Sequence, residues 1–268
     1  MASATSNPAF RNSPAFSTPP RAQDRVTSSQ LDELYGRPSA TPNETERMTY
    51  EDTIVKIVIS FVILLAGAVV GWIVPILAIP AAIVGLVLAL VNTFKKKPSR
   101  GLILAYAAVE GVFVGGISYI FGTMFDDIVP QAVFGTLGVV AVTLALFASG
   151  KIRASKRATK IFLVAMIGYA VFSLVNVFIM IFGGANANPW GLRGDVTIAG
   201  IPLGVILGVF VVILAAYSLV LDFDFIQKGV QNKAPRKYGW TGAFGIMVTV
   251  IWLYMEILRM LAILRGND

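Results

Sequence analysis

Five ionisable residues lie inside long apolar stretches of this sequence, where charged groups are costly. They are Glu110, Asp222, Asp224, Glu256 and Arg259. A charged side chain at bilayer depth costs roughly 2.5–3.5 kcal/mol or more, so such residues tend to be paired and functional. These five are therefore the candidate site residues.

The spacing of Glu256 and Arg259 permits two interpretations. The residues are three apart, so on a helix they share one face and can form a local ion pair that offsets its own cost. Alternatively, Glu256 faces the interior of a helix bundle and meets Asp222 or Asp224. Two neighbouring carboxylates cannot both ionise cheaply, so they would share a proton and act as a pH sensor. Deprotonated, Asp222 and Glu256 would offer hard oxygen ligands that suit Ca²⁺.

The depths of the two acids decide whether they can meet. At 1.5 Å per residue, Asp222 lies about 33 Å from the Gly200 end of its apolar stretch, whereas Glu256 lies about 12 Å from the Leu264 end of its own. The carboxyls approach each other only if the two helices cover roughly 205–228 and 245–266, with 229–244 as the connection. The sequence is compatible with this pairing but does not require it.

The composition excludes several kinds of chemistry. The chain of 268 residues contains no His and no Cys, which removes imidazole relays, thiol nucleophiles, disulfides and metal sites built from either residue. It is 56% hydrophobic and only 14% charged, whereas soluble domains are about 45–50% apolar and about 25% charged. We therefore predict an integral membrane protein that is not an enzyme and holds no cofactor.

Seven apolar runs, each long enough to cross a bilayer, follow one another from residue 54 onward. Barrel strands would be about ten residues long and would alternate in polarity, so we predict an all-α fold with seven transmembrane helices. The predicted spans are Ile54 to Val74, Ile76 to Phe94, Leu102 to Gly122, Gln131 to Ser149, Ile161 to Phe182, a sixth from Gly200–Val205 to about Ile226, and a seventh from Trp240–Gly245 to Leu264.

Lysine and arginine are concentrated in alternate connections. Those after the second, fourth and sixth spans hold 13 such residues, whereas those after the first, third and fifth hold only Arg193. The positive-inside rule therefore predicts a cytoplasmic N-terminus and an outside C-terminus. The lipid bilayer is the expected partner, because anionic headgroups account for the basic connections and the net charge of +7 without any nucleic acid.

The first part of the chain differs in composition from the rest. Pro, Ser, Thr, Asn and Arg dominate residues 1–47, and no apolar period is long enough to build a core. We predict that residues 1–47 form a disordered Pro/Ser-rich cytoplasmic tail and that residues 48–268 form the seven-helix transmembrane domain.

Six segments share motifs with one known family. They are Met48-Thr49-Tyr50-Glu51-Asp52, Tyr106-Ala107-Ala108-Val109-Glu110-Gly111, Gln131-Ala132-Val133-Phe134-Gly135-Thr136, Ser149-Gly150-Lys151-Ile152-Arg153, Leu221-Asp222-Phe223-Asp224-Phe225-Ile226 and Tyr254-Met255-Glu256-Ile257-Leu258. In these segments the chain resembles the Bax inhibitor-1 family of seven-helix membrane proteins, and most closely its bacterial branch, often labelled Bax inhibitor-1/YccA.

The resemblance implies a bacterial inner-membrane location and a Ca²⁺ leak gated by pH. In the family, one carboxylate on the sixth helix and one on the seventh form the sensor; carried over by motif, these are Asp222 and Glu256. The chain departs from the family in carrying Glu where the seventh helix usually has Asp. The connection between the two acids is also longer, and Asp224 makes the choice on the sixth helix ambiguous.

Two functions fit the sequence. One is a pH-sensitive, calcium-permeable channel gated by the carboxylate pair; the other is a non-conducting regulator that binds another membrane protein, such as a quality-control protease. The regulator is supported by the long tail and by small residues at four-residue spacing, although close packing of helices is the preferred interpretation of that spacing. An intramembrane aspartyl protease is disfavoured, because the second acid is Glu and no Gly-x-Gly-Asp motif occurs. Glu110 either lines the pathway or hydrogen-bonds a neighbouring helix.

Overall fold

The computed structural model describes residues 46–95, 97–183 and 188–266. Seven helices in these ranges are long and apolar enough to cross a membrane, which confirms the predicted all-α membrane fold. The predicted tail, residues 1–47, lies outside the described residues except for Glu46 and Arg47. The seven spans are α1 (Tyr50–Ile73), α2 (Ala78–Phe94, preceded by a 3₁₀ turn, Pro75–Leu77), α3 (Arg100–Met124), α4 (Ile128–Ala148), α5 (Lys156–Phe182), α7 (Leu203–Gln231) and α8 (Gly239–Arg265).

Helix α8, the seventh span, lies at the centre of the bundle. In its most apolar stretch 61% of the residues are buried, against 6% in α5, the fifth span. Leu253 and Leu258 of α8 are fully enclosed and belong to the main hydrophobic core, together with side chains from α1, α3, α4 and α7. A polar side chain on the inward face of α8 is therefore surrounded by protein and not by lipid.

Helices α1 and α3 pack closely along a stripe of glycines. A Cβ atom on Gly71 would lie 2.0 Å from the Val112 carbonyl oxygen, and one on Gly115 would lie 2.0 Å from the Ala68 carbonyl oxygen. Only glycine allows backbones to approach this closely. The small residues at four-residue spacing therefore serve as a helix interface here.

The connection between α5 and α7 contains a short helix and a small hairpin. The short helix is α6 (Leu192–Asp195), and the hairpin consists of β1 (Thr197–Ile198) paired antiparallel with β2 (Ile201–Pro202). Ala199 and Gly200 form its two-residue turn with positive φ angles of 53° and 81°, as a type I′ turn requires. Because the Leu203 amide donates to the Val196 carbonyl at 2.7 Å, the hairpin directs the chain straight into α7.

The connection between α7 and α8 is shorter than predicted. Helix α7 continues to Gln231 and α8 begins at Gly239, whereas the predicted spans ended near Ile226 and began again between Trp240 and Gly245. The segment before α1 pairs with this connection, since the Met48 amide donates to the Ala234 carbonyl at 2.8 Å. Hydropathy identifies only the apolar part of a helix, so it does not predict polar residues that extend the helix beyond the membrane.

Candidate functional site

Glu256 lies inside the bundle on the inward face of α8. Glu256 is 1% exposed and is one of the most deeply buried side chains of the described residues. It lies nine residues before the end of α8, about 14 Å along the helix axis. Glu256 therefore faces the interior of the bundle.

Both carboxylate oxygens of Glu256 are bound by cations. Arg193 Nη1 donates to Oε1 at 3.0 Å, and Arg259 Nη1 donates to Oε2 at 2.8 Å. The local ion pair predicted for Glu256 and Arg259 is therefore present. The second cation, Arg193, comes from α6 in the connection between α5 and α7.

Two hydroxyl groups of α5 complete the arrangement. The Tyr169 hydroxyl donates to Glu256 Oε2 at 2.8 Å and accepts from Arg193 Nη2 at 2.9 Å. Ser173 Oγ accepts from the same Arg193 nitrogen at 3.3 Å. We refer to these five residues, Glu256, Arg193, Arg259, Tyr169 and Ser173, as the Glu256 cluster.

Arg193 is nearly as enclosed as its partner. It is 3% exposed, and its guanidinium carbon lies 5.3 Å from the ring centre of Tyr169 and 5.6 Å from that of Phe172. Burial disfavours the charged form, but the hydrogen bond to Tyr169 and the charge of Glu256 outweigh burial and raise the pKa of Arg193 above its ordinary value. Arg193 therefore remains a cation inside the bundle.

The backbone around α6 places Arg193 at this depth. Gly191 adopts a φ of +55°, a conformation that glycine adopts at little cost. The Asn188 side chain accepts from the Trp190 amide at 2.9 Å, and the Asn176 side chain of α5 donates to the Trp190 carbonyl at 3.2 Å. On the opposite side Gly204 leaves room, because a Cβ there would lie 3.0 Å from the Arg193 carbonyl oxygen.

Asp222 and Asp224 point to different partners. Asp222 Oδ2 accepts from Thr249 Oγ1 of α8 at 2.7 Å, and the Thr249 hydroxyl lies 3.2 Å from the Ser218 hydroxyl. Asp224 pairs with Lys228 on its own helix at 2.6 Å. Asp222 is thus the residue of the sixth span that faces α8.

The expected carboxylate pair is not what the structure contains. Asp222 meets α8 at Thr249, seven residues before Glu256, which corresponds to about 10 Å along the helix axis. The recorded partners of Glu256 are Arg193, Arg259 and Tyr169, and neither Asp222 nor Asp224 is among them. Two carboxyls at such different depths do not share a proton.

The predicted use of Asp222 and Glu256 as joint Ca²⁺ ligands requires the same correction. Within residues 46–95, 97–183 and 188–266, no group of three acidic side chains converges. Both oxygens of Glu256 are already bound by guanidinium groups. In this conformation an incoming cation would meet positive charge beside Glu256.

Glu110 lies apart from the Glu256 cluster on α3. Glu110 is half-buried. Its carboxylate packs against Gly85 of α2, since a Cβ atom added to Gly85 would lie 2.4 Å from Oε2 of Glu110. Neither of the roles considered for it from the sequence is decided by this placement.

Sequence reasoning did not identify Arg193 or Tyr169 as site residues. One signal was available for Arg193, because it is the only basic residue in the connections after the first, third and fifth spans. No comparable signal exists for Tyr169, which is one aromatic residue within a long apolar run.

Replacing Tyr169 with phenylalanine should destabilise the protein by about 1–3 kcal/mol, because two buried charged groups lose a hydrogen-bond partner. The unfolding midpoint in a denaturant titration of the detergent-solubilised protein measures this loss. Tyr119→Phe is the matched control, since the Tyr119 hydroxyl makes no hydrogen bond within the part of the chain that the structure describes. Equal midpoints for the two variants would show that the Tyr169 hydroxyl contributes nothing.

Comparison with known proteins identifies one family that the chain matches. Residues 7–266 match the family described as Bax inhibitor 1 like. No curated protein matches the chain.

Proposed function

Since the chain belongs to the Bax inhibitor 1 like family, we propose that this multi-pass membrane protein is a pH-sensitive, calcium-permeable leak. Its function would be transport and not catalysis, in a bacterial inner membrane with the basic connections on the cytoplasmic side. The observation that carries the proposal is the buried carboxylate of Glu256, which is held inside the bundle by a cation from a connecting segment.

Acidic side chains on α7 and α8 occur at two depths of the bundle. Asp222 lies nine residues before the basic end of α7, about 14 Å along the axis. Glu256 lies at a similar distance from the opposite end of α8. Acids facing a bundle interior are typical of cation pathways, and here each would serve one half of the route.

The Glu256 cluster supplies a physical basis for pH sensitivity. The charged and titratable groups that face Glu256 are Arg193 from α6, Arg259 from α8 and Tyr169 from α5. The negative charge of Glu256 holds Arg193 in place. Because an unpaired buried cation is costly, loss of this charge would favour withdrawal of Arg193, and we expect the leak to increase when the charge is lost.

Calcium flux into proteoliposomes tests this proposal. Glu256→Gln, which mimics the protonated state, should raise flux at neutral pH and reduce its dependence on pH. Asp222→Asn should lower Ca²⁺ flux, because it removes the carboxylate at the basic end of the interface. Asp224→Asn is the matched control, since Asp224 pairs with the largely exposed Lys228, and it should conduct like the wild-type protein.

Two results would contradict the leak. One is wild-type flux no greater than in protein-free liposomes at any pH. The other is a Glu256→Gln variant whose flux equals that of the wild-type protein across the whole pH range.

The alternative proposal is a non-conducting regulator that binds another membrane protein. The observation that favours it is α5, which leaves most of its apolar surface free for contact with other molecules in the membrane. Flux at the protein-free level, together with co-purification of a membrane protein that is lost when residues 1–45 are deleted, would support this function.

A further inference from the structure

The segment 188–195 occupies the end of the bundle at which the Glu256 cluster lies. It carries α6, and its Arg193 side chain reaches inward to Glu256. The residues that follow it, from Val196 to Ile201, are all exposed. The segment therefore lies between an exposed hairpin and a buried ion pair, and we refer to residues 188–195 as the plug.

Polar contacts attach the plug to α5 and α8, and its backbone also packs against Gly204 of α7. It is attached to α5 through Asn176 and the Trp190 carbonyl at 3.2 Å, and through the hydroxyls of Tyr169 and Ser173. It is attached to α8 through Glu256. Trp190 also packs against Phe121 of α3, at 5.9 Å between ring centres. Once the plug is withdrawn, its polar groups can form hydrogen bonds with water in place of those with α5 and α8.

The surface of α5 that contacts the plug contains a polar atom without a hydrogen-bond partner. Asn176 Oδ1 is buried and has no hydrogen-bond partner within the described residues. It faces Gly191, where a Cβ atom would lie 2.8 Å away. A buried acceptor without a partner costs free energy that contact with water would return. The contact between the plug and α5 therefore carries a free energy cost in the closed position.

We propose that residues 188–195 are a removable plug, with Arg193 as the latch that binds Glu256. Withdrawal of the plug opens a water-filled path to Ser173 and Glu256 from the side of the β1–β2 hairpin. This inference rests on the proposed leak, since it names the element that regulates it. It differs in what it requires, because plug movement is detectable without any ion flux.

Thiol accessibility measures the position of the plug directly. The chain has no cysteine, so single cysteines can be placed in the otherwise unchanged protein. Ser173→Cys places a thiol beneath Arg193, where a membrane-impermeant maleimide should react slowly. Adding Arg193→Gln should raise the labelling rate about tenfold or more, because each 1.4 kcal/mol removed from the closed state multiplies the open fraction tenfold.

A second variant opens the plug without changing any charge. Gly191→Ala, placed in the Ser173→Cys protein, forces a side chain toward Asn176 Oδ1. It should also accelerate labelling of the thiol at position 173. Agreement between the two variants shows that the plug, and not the loss of one charge, controls access.

Two control thiols complete the experiment. Ile198→Cys, at a position 52% exposed in the hairpin, should label rapidly in every background. It also identifies the side of the membrane from which the reagent must be added. Ser60→Cys, at a fully buried position of α1, should remain unlabelled, which shows that the variants have not simply unfolded.

Unchanged labelling at position 173 in both the Arg193→Gln and Gly191→Ala backgrounds would overturn the plug. Accelerated labelling without Ca²⁺ flux would support the plug and reject the leak. Flux that rises while labelling at position 173 stays slow would reject the plug and leave the leak intact.

Discussion

Glu256→Ala is expected to lower the free energy of unfolding by about 3–5 kcal/mol, the range for removing one partner of a buried ion pair. The reason is Arg193, which is 3% exposed and would lose the carboxylate that neutralises it in the closed position. Reversible unfolding in mixed SDS and detergent micelles measures the change. It is the largest effect that we expect from a single substitution in the cluster.

A double-mutant cycle separates the loss of the pair from the loss of packing. Arg193→Met alone leaves Glu256 with Arg259, whose side chain is 32% exposed, so its cost should be smaller than that of Glu256→Ala. The double variant Arg193→Met, Glu256→Ala should be more stable than the sum of the single effects predicts, because the buried charge of Arg193 is no longer left without its partner. Strictly additive effects would show that the two residues do not interact.

Gly115→Ala should also destabilise the protein, by about 3 kcal/mol, at the upper end of the range for overpacked cores. The added Cβ would lie 2.0 Å from the carbonyl oxygen of Ala68, and this backbone atom cannot move unless α1 and α3 separate. The unfolding midpoint in the same micelles measures the loss. The effect arises from contact between two backbones, so it does not depend on the polar cluster.

Gly138→Ala is the matched control for this substitution. Gly138 is also a glycine within a transmembrane helix, but nothing lies within 4 Å of the position that its Cβ would occupy. Alanine should therefore leave stability unchanged or raise it by up to about 1 kcal/mol through its better helix propensity. A comparable loss at both positions would show that glycine is needed for reasons other than close approach.

The helices were predictable because hydropathy is a local property of the chain. All seven spans lie where the apolar runs indicated, although α7 continues to Gln231 beyond its apolar part. The ion pair of Glu256 with Arg259 was equally accessible, since residues three apart on one helix share a face. The matched family was also indicated by short motifs of five or six consecutive residues.

The partners of the buried acids depended on the depth of each acid in the bundle and on the rotation of its helix. Hydropathy does not specify either quantity. A shift of a few residues in the ends of α7 and α8 moves Asp222 to Thr249 and away from Glu256. Each residue of such a shift changes the depth by about 1.5 Å. The predicted carboxylate pair is therefore absent among the described contacts.

The sequence by itself determined that this protein crosses a membrane seven times and that Glu256 must be neutralised inside it. Both results follow from the cost of exposing polar groups to hydrocarbon, which acts on each stretch of the chain separately. Only the tertiary structure decided that the second neutralising charge is Arg193, 63 positions away in the chain. That choice depends on how the connection between α5 and α7 folds back into the bundle, because burial forces a charge to find a partner but does not specify which one.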